Sequence, residues 1–176
     1  MTLARSFPPI AALGARVLVL GSMPGAASLA AVEYYAHPRN AFWPIMGELF
    51  GAGPELPYEA RAARLREHGV AVWDVLRECR RAGSLDASIV VASERANDFP
   101  AFLARFDQVE RIYFNGQKAE AAFRRHAAPR LPDDCLDRLT LTRLPSTSPA
   151  HAGMSFAEKL ANWRQVSDHA GKPVNQ

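Results

Sequence analysis

Short continuous apolar runs alternate along the chain with segments in which apolar residues recur at helical spacing. The runs predict buried strands, and Gly, Pro or polar residues bound them. The spaced segments predict amphipathic helices, the last with a Ser155-x-x-Glu158 capping box. The predicted strands are 16–21, 70–75, 111–115 and 139–144, and the predicted helices are 41–49, 58–68, 100–106, 117–126 and 155–168. We also expect a short helix through Leu76 and Cys79.

This alternation of strands and helices predicts an α/β protein, a mostly parallel sheet with helices on both faces. A length of 176 residues fits a single domain over 1–176. We expect residues 1–14 and 170–176 to be loose termini.

Composition narrows the possible classes of protein only modestly. A net charge of +3 and a pI of about 9.1 are compatible with nucleic-acid binding and with many other enzymes. No apolar run approaches the ~20 residues of a membrane helix, and the N-terminus is too weakly apolar for a signal peptide. We therefore expect a cytoplasmic protein.

The two cysteines predict neither a metal site nor a cofactor. Cys79 and Cys135 are far apart and have no C-x-x-C spacing or neighbouring Cys/His cluster. Zinc and iron–sulfur sites need several such ligands. We interpret both residues as plain thiols and expect no metal and no cofactor.

Polar residues stand at the carboxyl ends of three predicted strands, where α/β proteins bind their ligands. They are Gly21-Ser22, Asn115-Gly116 and the hydroxyl-rich segment Ser146-Thr147-Ser148. The first of these turns lacks the spacing of a phosphate-binding or dinucleotide-binding loop. The three clusters together predict one ligand site.

The loop before the helix at 41–49 adds chemistry suited to an unstacked nucleobase. Tyr34 and Tyr35 offer aromatic faces, His37 and Arg39 offer polar and cationic groups, and Asn40 offers a carboxamide. Asn40 is either a helix N-cap or a group that reads a base edge or orients water. The following Phe42 and Trp43 are expected in the core.

The other polar candidates also have two interpretations each. Asn115 either bonds a neighbouring loop or recognises a base, and Ser146, Thr147 and Ser148 suit phosphate oxygens. His151 points to DNA, to the leaving base or to solvent. Asp74 is expected to cap a turn, and no pair of carboxylates is evident.

Four motifs together resemble the uracil-DNA glycosylase superfamily, in particular its hypoxanthine-DNA (deoxyinosine) glycosylases. The motifs are Gly21-Ser-Met-Pro-Gly25, Tyr34-Tyr-Ala-His-Pro-Arg-Asn-Ala-Phe-Trp43, Tyr113-Phe-Asn-Gly116 and Leu144-Pro-Ser-Thr-Ser-Pro-Ala150. The resemblance extends from Arg16 to about Val166. It implies a three-layer α/β/α fold with a short central sheet and metal-free hydrolysis of the N-glycosidic bond of a flipped nucleotide.

The resemblance also implies roles for individual residues. Asn40 and Ser22 are assigned to the catalytic site. Ser22 stands where familiar uracil glycosylases have an Asp and mismatch-specific ones an Asn, a departure that removes the usual activating group, so Asn40 takes the catalytic role. Tyr35 stacks on the base, with Met23 and Asn115 as further base contacts. The DNA contacts are assigned to His37, Arg39, Ser146, Thr147, Ser148 and His151. Many relatives have Asn at the position of His151.

The sequence thus predicts a monomeric, monofunctional DNA glycosylase that removes deaminated bases, namely hypoxanthine and also uracil or xanthine, in base excision repair. A uracil or G:U/G:T mismatch glycosylase is the alternative enzyme. A non-catalytic DNA-binding module on the same fold is the alternative of another class. The sequence does not rank the bases, choose single or double strands, or identify the residue that wedges into the duplex.

Overall fold

The computed structural model describes residues 1–172. Its strands are β1 Thr2–Arg5, β2 Val17–Gly21, β3 Val70–Asp74, β4 Leu76–Arg81, β5 Arg95–Ala96, β6 Arg111–Asn115 and β7 Thr140–Leu144. Its α-helices are α1 Ala26–Ala31, α2 Phe42–Phe50, α3 Tyr58–Glu67, α4 Phe99–Arg105, α5 Gln117–Ala122, α6 Asp133–Asp137 and α7 Phe156–His169.

The central sheet has four parallel strands in the order β3-β2-β6-β7. Strands β2 and β3 are buried along their whole length. Gly21 pairs with Asp74, and Asn115 pairs with Leu144, so the carboxyl ends of all four strands reach one edge of the sheet. The predicted parallel α/β fold is confirmed.

Strand β6 shows why helices cover both faces of this sheet. Successive strand residues point to opposite faces. Phe114 packs with its ring centroid 5.2 Å from that of Phe123, just beyond α5. The hydroxyl of the neighbouring Tyr113 donates to the carbonyl of Gln165 in α7. The sheet is therefore the middle of three layers.

The region after β3 differs from the predicted short helix. Leu76–Arg81 is strand β4, which pairs antiparallel with β1 and β5 in a second sheet. Leu76 and Cys79 are both buried, three residues apart, and the register of β4 against β5 shifts between Leu76 and Glu78. Such an irregularity gives a strand the apolar spacing of a helix, so the helix prediction was wrong.

The termini also differ in part from expectation. Within the expected loose stretch 1–14, β1 is hydrogen-bonded to β4, a partner more than 70 residues away. Ala170 caps α7, and its backbone N–H donates to Val166. Residues 173–176 of the expected loose C-terminus lie outside the described residues.

Four helices, α2, α3, α4 and α7, begin and end within one residue of their predicted bounds. The predicted helix 117–126 is α-helical to Ala122 and continues as a π-helical turn, and the sequence did not predict α1 and α6. Gly51 follows α2 with φ +67°, a left-handed conformation that favours glycine. Ser155 and Glu158 form the reciprocal capping box at the start of α7. Within residues 1–172, no helix is both long and apolar enough to cross a membrane.

Candidate active site

A cavity of about 590 Å³ opens at the carboxyl edge of the parallel sheet. Every candidate site residue named from the sequence lines it, although the residues come from four separate stretches of chain. They are Ser22, Met23, Tyr35, His37, Arg39, Asn40, Asn115, Ser146, Thr147, Ser148 and His151. The structure thus places these residues around one space, while their contacts with DNA stay predictions.

Asn40 lines the cavity and comes just before α2, whose N-cap residue is Ala41. The Oδ1 of Asn40 accepts a 2.9 Å hydrogen bond from the backbone N–H of Phe42, the first residue of α2. This bond engages the oxygen and not the Nδ2 amide group. The sequence suggested Asn40 as the N-cap, but Asn40 lies one position before it, and its bond to the start of α2 is compatible with the catalytic interpretation. Phe42 and Trp43 are buried, as expected.

Asn115 and Thr147 hold two of the site's loops together. The Oδ1 of Asn115 accepts from the Thr147 backbone N–H at 2.9 Å, and its Nδ2 donates to the Thr147 Oγ1 at 2.9 Å. The carbonyl of Thr147 in turn accepts from the backbone N–H of Ala41, beside Asn40. This pairing uses one donor and one acceptor site of the Asn115 carboxamide, and one of each remains.

Tyr35 is held in a strained and confined position. Its φ of +55° is uncommon for a bulky side chain. Its ring stacks on Phe42 with centroids 4.0 Å apart. Among the described residues its buried hydroxyl has no hydrogen-bond partner. Burial, with the charge of Asp74 as the second cause, raises the pKa of Tyr35, so the phenol keeps its proton.

The cavity contains two carboxylates, which corrects the expectation that no such pair exists. Asp86 accepts a 2.6 Å hydrogen bond from the Oγ of Ser22. Asp74 stands at the end of β3 and is only 3% exposed. Asp86 comes from the loop after β4, and nothing local in its Gly-Ser-Leu-Asp setting marks it as a cavity residue.

Asp74 does not cap a turn as the sequence suggested. Within residues 1–172 its buried Oδ2 has no hydrogen-bond partner. A Cβ added to Gly21 would lie 2.5 Å from the Asp74 Oδ1 and 2.9 Å from the Tyr35 hydroxyl oxygen. Gly21 is therefore required because its missing side chain leaves room for both groups.

The charges around Asp74 favour its neutral form. Burial raises the pKa of Asp74 to about 8, and the negative charge of Asp86 adds to the rise while Arg81 opposes it. Arg81 is itself buried and donates from Nη2 to the carbonyl of Pro24 at 2.6 Å, which anchors the loop after β2.

Polar groups with greater exposure lie elsewhere along the cavity. His37, Arg39 and His151 are exposed, and the Nδ1 of His37 accepts from the Arg39 backbone N–H. Ser146 and Ser148 accept hydrogen bonds from backbone N–H groups two residues ahead, which shapes their loop.

Within residues 1–172 no group of three or more Cys, His, Asp or Glu residues is arranged to hold a metal.

Comparison with known proteins agrees with this geometry. Residues 8–167 match the family model of the uracil DNA glycosylase superfamily. The chain belongs to this superfamily. It is accordingly a DNA glycosylase, an N-glycosyl hydrolase whose substrate is DNA. Membership supports the enzymatic interpretation over a non-catalytic module.

Relatives within the superfamily carry a more specific name. The chain is similar to hypoxanthine DNA glycosylases from Methanosarcina barkeri, at 31% identity, and Methanosarcina acetivorans, at 33% identity. Each match covers 116 residues, 65% of this chain and 72% of the relative. The chain is also similar to the solution NMR structure of a candidate uracil DNA glycosylase from Methanosarcina acetivorans. That match has a TM-score of 0.73 and 28% identity, covering 96% of this chain and 100% of the other.

Proposed function

We propose that this DNA glycosylase flips deaminated bases out of DNA and hydrolyses their glycosidic bond, with hypoxanthine as the main substrate. The observation that carries the proposal is the meeting of a stacking ring, a carboxamide and polar loops at one cavity of about 590 Å³. The similarity to two hypoxanthine DNA glycosylases supports the choice of base. This activity initiates base excision repair.

The flipped base stacks on the face of Tyr35 opposite Phe42. An aromatic face recovers roughly 1–3 kcal/mol of the stacking that a base loses on leaving the helix. A deaminated base pairs poorly, so its extrusion costs less than that of a normal base. The loop of Ser146 and Ser148, together with Arg39, holds the backbone phosphates beside the flipped nucleotide.

Asn40 orients the water that attacks the sugar. Its Oδ1 is fixed by the N–H of Phe42, which sets the plane of the carboxamide. As the glycosidic bond breaks, positive charge develops on the sugar ring, and an oriented amide dipole stabilises it. An amide is a weak base, so Asn40 contributes through placement and electrostatics rather than by removing a proton.

Negative charge on the departing base is stabilised from the loop after β2. Backbone N–H groups near Ser22 and the free donor of Asn115 face the cavity in this mechanism. Donors already in place stabilise charge without reorganisation. Met23, buried beside Ser22, supplies apolar contact with the base.

The test is a panel of oligonucleotide duplexes with hypoxanthine, xanthine, uracil or no lesion, matched in flanking sequence. Single-turnover cleavage is read as strand breaks after alkali treatment. We expect cleavage of the hypoxanthine duplex at the highest rate and none of the undamaged duplex. Preference for uracil, above all opposite G, would favour the alternative of a uracil or mismatch glycosylase. Absence of any cleavage would contradict the proposal.

A further inference from the structure

We infer that Asp74 is the general acid that donates a proton to the departing base. The inference rests on the proposed function, because it concerns how the excised base leaves. It adds a proton donor to a site in which Asn40 acts on the sugar side of the same bond.

The first argument is the position of an unpartnered oxygen. Asp74 is 97% shielded from solvent, yet it lines the cavity, and its Oδ2 finds no hydrogen bond among the described residues. Buried polar atoms nearly always have a hydrogen-bond partner. A buried atom without one, at the wall of a cavity, therefore indicates that a ligand supplies the partner. The hydroxyl of Tyr35 is orphaned beside it. A Cβ built on Gly21 would lie 2.5 Å from the Oδ1 of Asp74 and 2.9 Å from the hydroxyl oxygen of Tyr35, so the two side chains meet beside Gly21.

The second argument concerns the charges that face Asp74. Asp86 and Arg81 act on it with opposite signs, and the phenols of Tyr34 and Tyr35 lie near it without adding charge. No cation is within salt-bridge distance of it in residues 1–172. With a pKa of about 8, the carboxyl carries a proton at neutral pH and can release it.

The third argument is that the two carboxyl groups of the cavity have different surroundings. Asp74 is buried and tends to be neutral, whereas Asp86 lies on an exposed loop and accepts a hydrogen bond from Ser22. Burial raises the pKa of both carboxyl groups, but the Ser22 hydrogen bond and the charges of Arg81 and Lys118 oppose the rise at Asp86, whereas at Asp74 only Arg81 opposes it. Surroundings that act differently on two carboxyl groups commonly separate acid and base roles. The structure assigns the acid role to Asp74 on this basis.

The proposed step balances as follows. The bond between the sugar C1′ and the base nitrogen breaks, and its electron pair moves into the base. The Asp74 carboxyl donates its proton to an acceptor nitrogen of a purine ring, so the base leaves neutral. Water adds hydroxide to C1′ and releases its second proton to solvent. Asp74 then regains a proton from solvent.

The experiment measures single-turnover cleavage of a hypoxanthine duplex from pH 6 to 10. We expect the parental rate to fall about tenfold per pH unit above the pKa of Asp74, since only the protonated form is active. Asp74→Asn should lose roughly a hundredfold or more at neutral pH and lose this alkaline decline. Asp107→Asn, an exposed carboxylate away from the cavity, should retain the parental rate and profile.

Asp86→Asn provides a variant that leaves Asp74 in place. Removing the negative charge that raises the pKa of Asp74 should move the alkaline decline to lower pH. If Asp74→Asn fails to fold, the direction of this shift decides the question. A decline that stays in place or moves to higher pH in Asp86→Asn would overturn the inference.

Substrate analogues identify the accepting atom. Duplexes with 7-deaza- or 3-deazahypoxanthine replace one ring nitrogen with a carbon that cannot accept the proton. The parental enzyme should cleave one of these two duplexes slowly. Asp74→Asn should cleave that duplex no more slowly than it cleaves the unmodified hypoxanthine duplex. The inference would be overturned if the rate losses from Asp74→Asn and from each of the two analogues were additive. It would also be overturned if Asp74→Asn kept the alkaline decline of the parental enzyme. If the parental enzyme cleaves no deaminated base, the proposed function itself fails.

Discussion

The hydroxyl of Ser22 and the carboxylate of Asp86 are joined by a 2.6 Å hydrogen bond across 64 residues of sequence. The sequence resemblance implies that Ser22 stands where other uracil-DNA glycosylases have an acidic or amide side chain, so the sequence indicates a site without a carboxylate at that point. In the folded protein, the carboxylate of Asp86 reaches this point from a different loop. Two further bonds within this region, from Ala26 to Ser84 and from Arg81 to Pro24, fix the loops around it.

Ser22→Ala should slow cleavage about tenfold, because one charge-assisted hydrogen bond is worth roughly 1.5–3 kcal/mol. Desolvation raises the pKa of Asp86, and the hydrogen bond from Ser22 opposes this rise. Removing the bond in Ser22→Ala should therefore raise the pKa of Asp86 further. Single-turnover rates over pH 4–8 check both effects. Ser167→Ala, half-buried on α7 and outside the cavity lining, is the control. A parental rate in Ser22→Ala would rule out a contribution from this bond.

Asn40→Ala should reduce single-turnover cleavage roughly a hundredfold or more, as the loss of a transition-state dipole does in other enzymes. The lost bond to Phe42 also costs about 1 kcal/mol of helix stability, so unfolding is measured in parallel. Asn162→Ala, exposed on α7, is the matched control. A folded Asn40→Ala enzyme that binds DNA and cleaves at the parental rate would remove Asn40 from the mechanism.

Tyr35→Ala should weaken binding of a duplex with a non-cleavable base analogue by about 1–3 kcal/mol, the value of one base–aromatic stack. Tyr35→Phe keeps the ring and should bind nearly as well as the parental protein. Fluorescence anisotropy at fixed salt measures both. Equal affinity of the Ala variant and the parental protein would contradict the stacking role.

Gly21→Ala should lower both stability and activity, because its Cβ would lie 2.5 Å from the Asp74 Oδ1 and 2.9 Å from the Tyr35 hydroxyl. Overpacking of this kind costs typically 1–3 kcal/mol. The control is Gly153→Ala, since an added Cβ there meets nothing within 4 Å. Urea unfolding and cleavage of the preferred duplex are compared. Equal stability and cleavage rates of the two variants would show that Asp74 and Tyr35 move away from the added Cβ at little cost.

Glu94 should stabilise the fold in a pH-dependent manner. Its buried carboxylate pairs with Lys118 and His126. Burial raises the pKa of Glu94, but hydrogen bonds from these two residues lower it below its ordinary value overall. The stabilisation is therefore present above the ordinary glutamate pKa and is lost as the pH falls through the lower folded-state value.

Glu94→Gln should accordingly reduce the free energy of unfolding at pH 7 by about 1–3 kcal/mol, because both partners are partly solvated. The difference from the parental protein should shrink below pH 4.5. Glu67→Gln, exposed on α3, is the control. Urea unfolding at pH 7 and pH 3.5 provides the comparison, and a difference that persists unchanged at pH 3.5 would contradict the assignment.

Much of the fold could be predicted from local sequence. Strands β2, β3 and β6 contain continuous apolar runs, and β7 alternates Thr and Leu before Pro145 ends it. Helices α2, α3 and α7 have apolar spacing with terminal glycines or a capping box. The error at β4 arose because apolar residues three apart have two explanations, a helix turn or an irregular strand. Pairing with β1 decided between them, and its partner residues lie over 70 positions away.

The sequence by itself determined which loops bring aromatic, amide and hydroxyl side chains to the cavity, since strand ends and side-chain types are local properties. Only the tertiary structure decided the electrostatics of the site. The burial of Asp74, its crowding with Tyr35 at Gly21, and the bond from Ser22 to Asp86 depend on loops brought together by the parallel sheet. A residue's protonation follows from the water removed and the charges placed around it, and distant segments supply both.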